Sequence, residues 1–357
     1  MRVFRSKILV QATLFFLILS ACSRKDQDAG KPGLEILQFS LVPGSDNTEI
    51  NSANHQVTVH APDSLYYGIK LKAVFKLSPG STAQVNGLEQ VSGVTVNDFE
   101  QDIHYTVFAN DHRTRQDWTV QASNNMYSVS WGLGHFINRS LSEDRSYSWY
   151  IDQGTSGNFA GNNCGPSSVT MAIRWADSGF NKTAADARQT YQTDGGWWYT
   201  TDITSYLNLY GVEFGIISLG AEPADFAGRV KSQLDRNQII ILCLDMDRVR
   251  QSGVDQYRAD KFYATSPGWG HFIVLKGYRQ VDQELFFEAY DPYSFGKTNT
   301  DHTLKGEDRY YRFEDLAAAT QNWWNYAFVI ARKGMPLSTE AKKMSLDPGQ
   351  VPAAHNY

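Results

Sequence analysis

The sequence predicts a small all-β module followed by a larger α+β domain, and two patterns carry that expectation. Between Leu34 and Ala122, short apolar runs with partial alternation are separated by turn-rich stretches, the spacing of an all-β sandwich. From Trp149 to about Ala331, helical periodicity comes first and antiparallel-looking strand runs follow. At 357 residues, with 42% hydrophobic and 13% aromatic side chains, the chain is long enough for both units and apolar enough to fill their cores.

The N-terminus reads as an export signal. Arg2, Arg5 and Lys7 precede the apolar run Ile8 to Leu19, which is too short to span a bilayer. Leu19-Ser20-Ala21-Cys22 then resembles the lipobox of bacterial lipoproteins, which implies that residues 1–22 are signal peptide and lipobox and that Cys22 carries lipid. Acyl chains at Cys22 would hold the protein on a membrane surface without a transmembrane segment. Ser23, rather than Asp, resembles the outer-membrane sorting pattern of the bacterial cell envelope. Cleavage removes three basic and no acidic residues from a chain of formal charge -5, so nucleic acid is not an expected partner.

Residues 23–33 are polar and suit a tether. The runs Leu34 to Leu41, Gln56 to His60, Ile69 to Leu77, Ile103 to Ala109 and Trp118 to Ala122 are the expected strands of an immunoglobulin-like β-sandwich over 34–122. It resembles the sandwich modules that follow the lipid anchor in bacterial surface lipoproteins. His104 and His112 are expected at its surface, because no carboxylate or cysteine cluster at metal spacing accompanies them. Residues 123–150 are a connection or an extension of the second domain, and Gly134-His135-Phe136 within them carries no assigned role.

In the second domain, Val169, Ala172, Ile173 and Ala176 fall at helical spacing, with Met171 and Trp175 widening the apolar face. Pro166 is tolerated in a first turn, so the helix begins at Cys164 and ends before Gly179. Helices are expected over Ala184 to Tyr191, Asp202 to Tyr210 and Pro223 to Arg236. Strands are expected over Val212 to Ser218, Ile239 to Leu244, Phe272 to Tyr278, Leu285 to Tyr290 and Tyr326 to Ile330. The polar stretch 334–357, with Pro336, Pro348 and Pro352, is expected to be a mobile tail.

Three residues stand out chemically. Unpaired N–H groups and the helix dipole at the start of a helix favour an anion, so Cys164 is placed to be a thiolate. Cys243, inside the apolar run Ile239 to Leu244, reads instead as a small buried hydrophobe, and two such thiols do not make a disulfide scaffold. His271 heads one strand and Asp291 closes the next. A hairpin turn centred near Val281 would set them directly opposite each other, with Cβ atoms roughly 5 Å apart. A carboxylate there can hold one ring nitrogen and leave the other to face a thiol.

Asn163-Cys164-Gly165-Pro166, Gly270-His271-Phe272-Ile273-Val274 with Gly277-Tyr278, and Asp291-Pro292 are similar to the motif series of papain-like cysteine peptidases of the bacteriocin-leader (double-glycine) processing type and their wider peptidase-like family. The resemblance spans residues 145–333 and implies a papain-like fold. It implies Cys164 as nucleophile, His271 as general base and acid, and Asp291 as orienting group. It further implies that Gln153 donates to the oxyanion beside the Cys164 N–H, with Asn162 or Asn163 as alternatives. Trp269, two residues before His271, and Asn163 are the candidate substrate contacts. Trp197-Trp198-Tyr199 and Trp323-Trp324 could wall a groove or fill the core.

The expected function is thus an exported, membrane-anchored cysteine hydrolase acting on a peptide or protein, without a metal or cofactor. Leader processing itself is not expected, because the chain has no transporter domains. A binding lipoprotein that uses the same fold for peptide or glycan without turnover is the alternative.

Overall fold

The computed structural model describes residues 33–42, 44, 47–61, 70–321 and 323–341. The signal segment, Cys22 and nearly all of the tether lie outside them.

The N-terminal module is built from β1 (Ile36–Val42), β2 (Asn47–Asn51), β3 (Gln56–His60), β4 (Lys70–Leu77), β5 (Thr82–Val85), β6 (Leu88–Glu89), β7 (Val96–Asp98), β8 (Ile103–Phe108) and β9 (Arg115–Ser123). They form a three-stranded sheet, β1-β4-β7, and a six-stranded sheet, β2-β3-β9-β8-β5-β6, in which β3 and β9 run parallel. Alternation sets the buried faces: Val57 and Val59 on β3, and Ile103, Tyr105 and Val107 on β8, point into one core with Phe39, Leu71, Ala73 and Trp118. Trp118 also donates its indole N–H to the Leu34 carbonyl at 2.8 Å, tying the start of the module to its last strand. His104 and His112 are exposed, as expected.

The connecting segment contributes α1 (Met126–Ser130) and β10 (Ile137–Ser142). Its Phe136 enters the core of the module, whereas Leu133 and Ile137 pack with Val281, Phe286 and Tyr310 of the second domain. Gly134-His135-Phe136 therefore has a structural role that its letters do not announce. The Asp282 carboxylate accepts from the backbone N–H groups of His135 and Phe136, both at 2.9 Å, and stitches the segment to a hairpin turn.

The second domain continues with α2 (Cys164–Ala176), α3 (Ala184–Thr190), α4 (Thr200–Leu209), β11 (Phe214–Ser218), α5 (Pro223–Leu234), β12 (Ile239–Asp245), β13 (Gly270–Val281), β14 (Glu284–Tyr290), β15 (Arg309–Arg312), α6 (Phe313–Gln321) and β16 (Tyr326–Ile330). Its antiparallel sheet has the order β11-β16-β12-β13-β14-β15, and β10 also pairs with β13. The twelve-residue β13 is long enough to take β12 along its first half and β10 along its second.

The sheet is covered on both faces. Ile239, Ile241 and Cys243 of β12 face the core beneath α2 and α4, while Ile240, Leu242 and Leu244 face the core that receives Phe226, Val230 and Leu234 of α5 and Leu316 of α6. Burial on both sides explains why β12 is an unbroken apolar run. It also explains why α2 is buried almost all round, with Arg174 the residue that reaches partway to solvent.

Two expectations need correction. Residues 334–341 are anchored at two points: Leu337 and Ala341 are buried, and the Ala341 carbonyl accepts from Ile216 N–H at 2.9 Å. The polar composition of the tail conceals these two apolar anchors, of which Ala341 docks on β11. The sequence reading also passes over β15 and α6, because Arg-Tyr-Tyr-Arg is too short for a clear period and Ala317 and Ala319 give a weak apolar stripe.

Candidate functional site

Cys164 is the first residue of α2, and its backbone N–H belongs to the first-turn groups that have no intrahelical acceptor. Ser168, one turn on, donates to the Phe272 carbonyl at 3.0 Å and fixes the helix against β13. The side chain of His271 and the N–H groups of Phe272 and Gly165 lie near the thiol and favour its charged form. His271 is 2% exposed, and its Nε2 donates to Asp291 Oδ1 at 2.7 Å, which leaves Nδ1 for the thiol.

The register differs from the expected one. The turn closes between Val281 and Glu284, and an irregularity between Leu275 and Gly277 brings Val274 opposite Tyr290. His271 and Asp291 are thus diagonal rather than direct neighbours. Asp291 lies one residue beyond β14, and its side chain reaches on along the strand direction to the ring, its Oδ1 also accepting from the Tyr293 N–H.

Asp291 is fully buried and well supplied with donors. Besides His271, it accepts from Tyr263 Oη at 2.8 Å, Tyr311 Oη at 2.5 Å and Tyr293 N–H at 2.9 Å. Burial pushes its pKa up, but the charge and hydrogen bond of His271, with Tyr311 and the Tyr293 N–H, outweigh burial and hold it below the usual carboxylate value. Burial and the Asp291 charge keep Tyr263 and Tyr311 well above the ordinary phenol range, so both remain donors.

Burial lowers the pKa of His271, yet Asp291 and Cys164 reverse this and raise it to about 10. Burial likewise raises the Cys164 thiol, and the hydrogen bond and charge of His271, aided by the two N–H groups, bring it below its ordinary value. Three coupled groups therefore favour a thiolate, an imidazolium and a carboxylate in one dry place. Cys243 sits in the same core cluster, where burial and the neighbouring Cys164 push its thiol well up, so it stays protonated.

Gln153 and Asn163 are brought to the site but are already engaged. The Gln153 Nε2 donates to the carbonyls of Ala160 at 3.0 Å and Gly161 at 3.4 Å, and its backbone N–H donates to the Pro292 carbonyl at 2.8 Å. It holds the loop that enters α2 rather than presenting a free oxyanion donor. Asn163 is fully buried: its Nδ2 donates to Ser156 Oγ and the Asn158 carbonyl, and its Oδ1 accepts from Arg188 Nε at 2.7 Å. It therefore offers no free polar group to a substrate, and this expectation is corrected because the neighbouring loops claim both ends of the amide.

Trp269 is partly exposed and stands edge-on to Tyr293 at 6.2 Å, with Tyr293 in turn 6.3 Å from the His271 ring. Of the other tryptophans, Trp198 and Trp324 are core residues, and Trp197 is 57% exposed. Trp198 packs on Gly165 and Trp323 on Gly270, which is why glycine follows the cysteine and precedes the histidine.

Sequence reasoning missed Tyr263, Tyr311, Asp152 and Arg188. Asp152 accepts from the N–H groups of Gly154, Phe295 and Gly296 and joins the loop before α2 to the loop after Asp291. An Asp two residues before a Gly is a turn signal that could have marked it. The tyrosines carry no local pattern that points at Asp291. Among the described residues, no group of three or more His, Cys, Asp or Glu could hold a metal, and no helix is long and apolar enough to cross a membrane.

None of the curated proteins matches the chain. Among solved structures, one described as a "putative glycoside hydrolase from bacteroides thetaiotaomicron vpi-5482" is 16% identical, with 85% of this chain and 90% of that chain covered and a TM-score of 0.23. So loose an overlay identifies neither fold nor chemistry. Residues 36–122 match the family described as "SGBP, N-terminal", and residues 146–318 match the "Peptidase_C39 like family". The N-terminal all-β module is thus similar to the N-terminal domain of SGBP proteins, and the α+β domain that holds Cys164, His271 and Asp291 is similar to the Peptidase_C39 like family, which together support a papain-like, peptidase-like protein.

Proposed function

We propose that the second domain is a papain-like cysteine hydrolase that cleaves peptide or related amide bonds, held at the bacterial cell envelope by lipid on Cys22. One observation carries the reading: a thiol at a helix start lies beside an imidazole that is itself hydrogen-bonded to a buried carboxylate. In the match to the Peptidase_C39 like family the same three residues fall within the matched segment.

The Cys164 thiolate attacks the carbonyl carbon, and the backbone N–H of Cys164 donates to the developing oxyanion. The His271 imidazolium gives its Nδ1 proton to the leaving amine, which departs and leaves a thioester on Cys164. His271 then takes a proton from water, and the hydroxide displaces the thiolate. Asp291 holds the ring through Nε2 in both half-reactions, and Tyr263 and Tyr311 keep that carboxylate in place. Gln153 can serve as a second oxyanion donor only if its amide leaves the Ala160 and Gly161 carbonyls on substrate binding.

The test is incubation of the purified protein lacking residues 1–22 with a peptide library, read by mass spectrometry beside the Cys164→Ala variant. Cleavage by the parent and none by the variant is expected. Cleavage that persists in the variant, or tight binding without any turnover in the parent, would overturn the reading.

A further inference from the structure

Arg188 of α3 is 1% exposed, and all of its mapped hydrogen bonds go to neutral acceptors. Its Nε donates to Asn163 Oδ1 at 2.7 Å and Nη2 to the Asn162 carbonyl at 2.7 Å, while Nη1 donates to the carbonyls of Gln192 at 2.9 Å and Gly196 at 2.7 Å. Among the described residues, no carboxylate lies within ion-pair distance of it. A cage of neutral oxygens would be filled as well by a neutral donor, and burying an unpaired cation is unfavourable. A fixed charge makes physical sense there if an anion forms nearby. The residue that follows Asn163 is Cys164.

We propose that Arg188 is a positioning residue for the Cys164 thiolate: it clamps Asn162 and Asn163 at the helix start and supplies a buried positive charge next to the residues that precede the thiol. The proposal rests on Cys164 being the nucleophile. The remaining charged or titratable groups around the thiol are His271 of β13 and Cys243 of β12, with Asp291 behind His271. Around the guanidinium, burial lowers the pKa, whereas Cys164, Asp202 and Asp194 oppose that loss. Neither carboxylate is within ion-pair reach of the guanidinium, so its bonds to Asn162 and Asn163 are its direct link to the helix start. The clamp also explains the buried amide of Asn163, whose two ends are held by Arg188 and by the 156–158 loop.

The experiment is the rate of carbamidomethylation of Cys164 in the full chain against pH, measured by mass spectrometry of the Cys164 peptide in the parent, Arg188→Gln and Arg188→Lys, with thermal melts to establish folding. Arg188→Gln is expected to move the thiol inflection up by about one pH unit, a roughly tenfold loss of rate below the inflection, whereas Arg188→Lys keeps the parental inflection. A folded Arg188→Gln whose profile superimposes on the parent overturns the proposal. If Arg188→Gln does not fold, Arg188→Lys decides, since an inflection raised by a unit despite the retained charge is equally fatal. Failure of the parent itself to show enhanced reactivity at Cys164 is a different outcome, one that removes the nucleophile reading as well.

Discussion

His271 Nε2 lies 2.7 Å from Asp291 Oδ1 although the two residues are not opposite each other in the β13–β14 hairpin. The strand pair sets their common side, and the three further donors to Asp291, from Tyr263, Tyr311 and the Tyr293 backbone, hold the carboxylate against the ring. Orientation at this site is a property of the tyrosine cage as much as of the sheet.

Asp291→Asn should therefore cut peptide hydrolysis on the order of 10²- to 10⁴-fold in kcat, because an amide no longer stabilises the imidazolium. Tyr311→Phe keeps the carboxylate but removes one hydrogen bond to a buried charge. A loss of about 1.5–3 kcal/mol of stability is expected in urea denaturation, with a smaller kinetic effect. Equal kinetic losses in the two variants would contradict the separate roles.

The ionisation states make a prediction for stability against pH. His271 has its pKa raised from 6.5 to about 10, so its contribution is fully present below pH 6.5 and is lost as pH rises through about 10. Asp291 is shifted the other way, so its contribution is present above 3.8 and is lost as pH falls through its lowered value. The lowered Cys164 pKa contributes with the opposite slope up to 9.0, so the clean test is a Cys164→Ala background, in which urea midpoints should decline from pH 6.5 toward 10 and Asp291→Asn should flatten that decline. A level profile in that background would contradict the coupling of His271 to Asp291.

Gly165→Ala tests the packing behind the nucleophile. An added Cβ would lie 2.7 Å from Trp198 Cβ, too close for two carbons, so the indole or the helix start must shift. Overpacking of this kind costs about 1–3 kcal/mol. A lowered melting temperature with a larger fall in activity is expected, and an unchanged melting temperature would mean that the loop yields freely.

Cys22→Ser addresses the anchor. Fractionation of cells expressing the full chain should find the parent with the membranes and the variant in the soluble fraction, since a single uncleaved signal is a poorer anchor than several acyl chains. Co-sedimentation of both with membranes would argue against lipid attachment at that residue.

Much of the architecture was legible because burial leaves a period in the residues. The Val169, Ala172, Ile173 and Ala176 spacing located α2 and put Cys164 at its start, and the unbroken Ile239 to Leu244 run marked a strand buried on both faces. The alternating runs before residue 123 located five of the nine described strands of the all-β module but could not reveal that β3 and β9 are parallel, a choice made by contacts between distant segments.

The residues alone fix what is local: the helix start that carries a thiol and the strand that carries a histidine. The tertiary structure decided which side chains hold them. The diagonal register arises from an irregularity at Leu275 to Gly277. The tyrosines come from segments 28 and 20 residues away from Asp291. Arg188 reaches Asn163 across 25 residues, and Gln153 is turned to Ala160 rather than toward an open cleft. Periodicity records which face a residue shows, because burial depends on the element it sits in. It does not record which distant donor will satisfy a buried charge, because that depends on loops brought together only when the chain has folded.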